Sequence, residues 1–370
     1  MKQVTFPVVL LLLSPAHLPA QERASFDVIL DIDYRSAERA ISLYKGLEGH
    51  PTDIAEIPGS QIALATTAYL AQRSLTRADL ERSLQAAKFN QDLGSDPFCI
   101  RDAKANVGAL EELLSATIRR NFAQKVVKTV EQLFPAAARV RTHIPLYFVA
   151  FGHENIDAFV QRVLWRGNTP VFVGEGQGEL TIVVNLAKAV HYGRTTDERF
   201  IGMLGVVAHE VFHATFGVYR DGSSLWRDYY ARHRSYFDRL LDLTQNEGIA
   251  YYLSLVQGTR GRLTPDWERN VRAAFERFNS AAEEMLSVRT SPARAEDLLR
   301  LSNTSGFWTS YGAVTGMIVA RQIDQTLGRE ALMQTIAEGP TDFFLKYASV
   351  MKRDRNVPPL SSALLDAIAR

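Results

Sequence analysis

The stretch from Ile201 to Gly217 constrains this chain most. It reads IGMLGVVAHEVFHATFG, with no proline and no charge-bearing residue outside His209–His213. Thr196 starts the helical block, Asp197 and Glu198 occupy the first turn where the helix dipole favours acids, and Gly217 reads as its C-cap. So apolar a helix has to be buried. Burying two histidines and a glutamate within it is costly unless something pairs them.

The polar residues are His209-Glu210-Val211-Phe212-His213. Side chains at i and i+4 share one helical face, so both imidazoles can reach one metal ion. Glu210 sits beside the first histidine, where its carboxylate can meet a water at the metal without taking a coordination position. This is the HExxH arrangement of two zinc ligands and a general base. A catalytic zinc keeps three protein ligands and one open position, so a third ligand must come from elsewhere. A third histidine six positions after His213 is absent: Tyr219 stands there, and Phe216 replaces the glycine such a motif requires. The best candidate is Glu247 in QNEGIAYY, on an apolar helical segment whose small Gly248 and Ala250 allow close helix approach. His233 is the rival, but Arg232 and Arg234 flank it in a solvent-facing pattern.

Together, His209-Glu210-x-x-His213 and Glu247-Gly248-x-Ala250 resemble gluzincins, zinc peptidases in which a glutamate from a following helix completes the HExxH pair. The nearest resemblance is to a poorly characterised family of zinc-dependent peptidases with an HExxH…EGxA pattern, over roughly residues 180–350. It implies His209, His213 and Glu247 as ligands of one Zn2+ ion and Glu210 as the base. Two features depart from better-known gluzincins. Glu247 follows His213 by 34 positions, a long spacing, and the GxMEN signature of the large aminopeptidases is missing.

Around this core the sequence reads as α+β and predominantly α-helical. Amphipathic helices are expected at 36–47, 63–71, 77–89 and 102–134. Strands are expected at His143–Phe151, Pro170–Val173 and Leu180–Leu186, the last two joined hairpin-fashion through Gly174, Gly176 and Gly178. That GEGQG stretch leads into a strand, the reverse of a phosphate-binding loop. Further helices follow at 224–256, 264–286, 309–327, 329–337, 341–351 and 359–369. The resemblance implies a zincin-like core with a small central sheet and an HExxH active-site helix. The expected organisation is a signal peptide at 1–20, a helical region at 21–140 and a zincin-like region at 141–370, the last two forming one domain.

Residues 1–20 place Lys2 before the apolar run Val8–Leu13, then Pro15, Pro19 and Ala20, the layout of a secretory signal. Export to a periplasmic or extracellular space is expected, with no stable membrane insertion after cleavage. Removing Lys2 would bring the net charge of +1 to neutrality, and such a balance argues against nucleic acid as a partner. The single Cys99 excludes thiolate clusters and intrachain disulfides.

A peptide or protein substrate is expected to lie along the strand Leu180–Leu186. Tyr311 is the first candidate to stabilise the oxyanion, with His153, His191 and Tyr219 behind it. Asp242 or Asp238 would orient the histidines. The function expected is an exported zinc-dependent peptidase. The alternative is a non-catalytic, zinc-stabilised binding or scaffold protein.

Overall fold

In the computed structural model, which describes residues 25–369 except 48, 175, 259–265 and 305–306, the chain opens on strand β1 (Phe26–Asp33). Seven helices follow: α1 (Arg35–Tyr44), α2 (Pro51–Glu56), α3 (Pro58–Ala71), α4 (Arg77–Lys88), α5 (Ile100–Ala105), α6 (Val107–Arg119) and α7 (Phe122–Glu131). Next come strands β2 (Val140–Val149), β3 (Ala158–Arg166), β4 (Thr169–Val173) and β5 (Glu179–Asn185). The second half is helical: α8 (Leu186–Ala189), α9 (Thr196–Gly222), α10 (Ser224–Arg232), α11 (Tyr236–Gly258), α12 (Trp267–Leu286) and α13 (Pro292–Ser302). After a 3-10 turn (Phe307–Thr309) come α14 (Tyr311–Leu327), α15 (Arg329–Glu338), α16 (Pro340–Arg353) and α17 (Ser362–Ile368). The fold is α+β and mostly helical. The signal-peptide reading of residues 1–20 lies outside the described residues.

The five strands form one sheet in the order β1-β2-β5-β3-β4. β1, β2 and β5 are parallel, and β3 runs antiparallel to both its neighbours. Two of these strands escape the sequence reading. β1 reads FDVILDID, its acids fitting the open edge, and β3 reads AFVQRVLWR, whose interior polar residues break strict alternation. The expected β4–β5 hairpin is also corrected, because β3 lies between them and forms the true hairpin with β4. Gly178 adopts φ +63°, and a Cβ there would stand 2.6 Å from the Val163 carbonyl oxygen. β5 is paired on both edges, so it offers no edge to a peptide and the expected substrate strand is overturned.

α9 begins with a capping box. The Thr195 hydroxyl accepts the Glu198 N–H, and the Glu198 carboxylate accepts the N–H groups of Arg194 and Thr195. The helix runs through Gly217 to Gly222, so Gly217 is interior and not a cap. By length and composition α9 would qualify as a membrane span, yet 56% of its apolar window is buried in the protein, against α7, α11 and the sheet. The hydrophobic core is continuous from Leu30 on β1 to Ile368 on α17, and the N-terminal helices share it with α9.

α11 runs between α9 and α14. Where α11 and α14 cross, Gly248 meets Gly316 backbone to backbone: a Cβ on Gly248 would lie 2.2 Å from the Gly316 carbonyl carbon. Gly248 therefore serves the contact with α14, not the approach to α9 expected from sequence.

Candidate metal centre

α9 and α11 bring His209, His213 and Glu247 together. The two Nε2 atoms are 3.0 Å apart, and Glu247 Oε2 lies 3.9 Å from that of His209 and 3.4 Å from that of His213. A point equidistant from the three atoms is about 2.0 Å from each, the bond length of about 2.0–2.2 Å at which zinc takes imidazole nitrogen and carboxylate oxygen. The donor set and its spacing thus fit one zinc ion. The three side chains are 15%, 14% and 14% exposed, so the cluster is sheltered but reachable.

Each of the three is held by a neighbour that keeps its facing atom turned into the cluster. His213 Nδ1 is 3.1 Å from Asn246 Oδ1, and the His209 ring hydrogen-bonds the Ala250 backbone carbonyl. The Asn303 amide donates to Glu247 Oε1 at 2.8 Å, leaving Oε2 turned to the histidines. Outer contacts of this kind fix the orientation and tautomer of metal ligands. The expected orienting acids act elsewhere. Asp242 binds Arg220 and Tyr230, and Asp238 caps the start of α11 through Ser235 and meets His233.

Glu210 lies on the same turn of α9, and no hydrogen bond or ion pair engages its carboxylate among the described residues. Burial pushes its carboxyl up to about 7. His213 draws it down, while the carboxylates of Glu247 and Asp157 reinforce the rise. Burial, then the charge on His213, press His209 down to about 3. Burial opposes charge on His213 and Glu247 as well, but their mutual attraction wins. In the metal-free protein it holds Glu247 as a carboxylate and raises His213 above the ordinary histidine range.

Tyr311 is not part of this cluster. Its buried hydroxyl donates to the Leu298 carbonyl at 2.6 Å, and Arg277 lies over its ring. The tyrosine beside the cluster is Tyr251, edge-on to His209 with centroids 4.9 Å apart. Burial, then the Glu247 and Glu210 carboxylates, push its hydroxyl up to about 12, so it stays protonated. Tyr192 is raised by burial and by Asp157. The other candidates are occupied: His153 accepts the Asn155 N–H, His191 pairs with Asp102 at 2.7 Å, and Tyr219 packs on Phe134. His233 stacks on Tyr229, apart from the cluster. Asn246 and Tyr251 lie in the same QNEGIAYY stretch as Glu247, so spacing from Glu247 could have flagged them. Asn303 carries no local signal.

An HExxH helix, a glutamate from a second helix and a sheltered carboxyl beside them form, in a helical α+β protein, a donor pattern that could hold a zinc ion. Comparison with known families agrees. The chain belongs to the family described as "Putative zinc dependent peptidase (DUF5700)", whose model matches residues 52–356. No curated protein and no solved structure matches it significantly.

Proposed function

We propose that the protein is an exported zinc-dependent peptidase of gluzincin type, with a zincin-like core, in which His209, His213 and Glu247 hold one zinc ion. The observation that carries this reading is the convergence of their three donor atoms around a point at zinc bonding distance. A zinc ion there supplies Lewis-acid polarisation of a peptide carbonyl and lowers the pKa of a water.

The chain's own groups do the rest. The Glu210 carboxylate takes the proton of the attacking water and passes it to the leaving amine nitrogen, so one carboxyl serves as base and then acid. Tyr251, protonated at any physiological pH, donates a hydrogen bond to the oxygen that gains charge. Asn246, Asn303 and the Ala250 carbonyl keep the donors aimed. The scaffold alternative gives Glu210 no task, and an unpaired carboxylate in a sheltered site is costly to keep.

Glu210→Gln tests the reading. Stoichiometric zinc by elemental analysis should persist while metal-dependent cleavage of a peptide library disappears. Cleavage retained in that variant refutes the role of Glu210, and a wild-type protein that takes up no zinc refutes the centre.

A further inference from the structure

A cavity lies on the face of α14 turned away from α11. Gly316 turns toward α11 and Gly312 toward α11 and α13, whereas Ile318 and Arg321, about half a helical turn round, face α12. Between α12, α14 and residues 355–359 is a cavity of about 670 Å3, within the range of about 300–1,000 Å3 of small-ligand sites. Its floor is apolar, made of the buried Val271, Phe275, Ile318 and Val357. Its far wall is pinned. Asn279 donates to the Pro359 carbonyl and accepts the Ser361 N–H, both at 3.0 Å, and the Tyr347 hydroxyl donates to the Pro358 carbonyl at 2.7 Å.

Arg272, Arg321 and Arg355 line this cavity, and among the described residues none is ion-paired. The carboxylate one turn from Arg321 is Asp324, already taken by two bonds from Arg329 and one from the Tyr252 hydroxyl. Asp354, beside Arg355, accepts the Asn356 N–H. Glu268 and Glu276 also line the cavity, one turn either side of Arg272, but neither closes on it. The balance of charge is one net positive over an apolar floor.

We propose that this cavity binds a small organic oxyanion, a carboxylate or phosphate on a flat apolar body. The planar guanidinium fork matches both oxyanions. The floor would hold the body, and the two glutamates would accept hydroxyl or amino groups it carries. The proposal is independent of the zinc chemistry.

The test titrates the full mature chain at constant ionic strength with phenylphosphate, benzoate, inorganic phosphate and benzyl alcohol, read by calorimetry and thermal unfolding. Saturable binding of phenylphosphate or benzoate is expected, at least about tenfold weaker for the ion without a body and for the neutral alcohol. The tighter of the first two identifies the oxyanion. Arg321→Gln and, separately, the exposed Arg355→Gln should each weaken binding about tenfold without changing zinc content, and the second serves if the first fails to fold. No saturable binding by about 10 mM, equal binding of the alcohol, or unchanged affinity in the folded variants would overturn the proposal.

Discussion

Gly316→Ala should destabilise the protein, although helix propensity alone favours it. In a helix interior alanine is better than glycine by about 1 kcal/mol. At this crossing, however, the added Cβ would stand 2.0 Å from the Thr244 carbonyl oxygen, 2.8 Å from Gly248 Cα and 3.0 Å from the Thr244 carbonyl carbon. All three are α11 backbone atoms, so no side-chain rotation relieves the overlap and the helices must separate by more than about 1 Å. Overpacking of this kind costs about 1–3 kcal/mol and occasionally more, and rigid backbone on both sides puts this case at the upper end. Set against the propensity gain, the net loss is about 2 kcal/mol. Gly217→Ala is the control. It lies inside α9, nothing approaches its Cβ position within 4 Å, and a gain of up to about 1 kcal/mol is expected. Both variants would be unfolded in urea after chelation, which keeps metal linkage out of the comparison. Because α11 carries Asn246, Glu247 and Ala250, Gly316→Ala should also weaken zinc binding in a chelator competition. A Gly316→Ala protein as stable as the wild type would refute the close-crossing argument.

Three further outcomes follow from the same geometry. Asn246→Ala and Asn303→Ala should each weaken zinc affinity about 10–100-fold while the apo-protein melts near the wild-type temperature, as chelator competition and calorimetry would show. Thr195→Ala should cost about 1 kcal/mol by removing the cap of α9, measured by urea unfolding. Glu198 has a folded pKa lowered by the N–H groups of Arg194 and Thr195. Its contribution is complete above the unfolded value of 4.5 and is lost as pH falls from there through its lowered folded value, so the stability gap between wild type and Glu198→Gln should narrow as pH drops below 4.5. A gap that widens with acid would contradict the capping box.

Much of the site was legible in the sequence because its parts are periodic or local. His209 and His213 share a face by helical geometry alone, and a polar triad in an apolar run announces itself. Glu247 stood out for the same reason, as one acid at the head of an apolar segment. The starts of α4 and α9 were legible within a residue because helix-start signals, such as acids in the first turn, act over a few positions. Helix α13, by contrast, went unread despite Pro292 at its first position.

What the sequence determined was therefore a buried helix carrying HExxH, a second helix carrying a glutamate, and a mostly helical α+β class. Only the tertiary structure decided which strands have free edges, which tyrosines stand near or away from His209, His213 and Glu247, and which helix Gly248 touches. The physical reason is range. Burial, capping and i,i+4 geometry act between residues a few positions apart, so they are written along the chain. Asn303 reaching Glu247, β3 entering between β4 and β5, and Tyr311 turning to Leu298 depend on how helices and strands pack. None of these contacts leaves a period or spacing in one sequence, so that Tyr311 turns away from the cluster is not legible until the helices are packed.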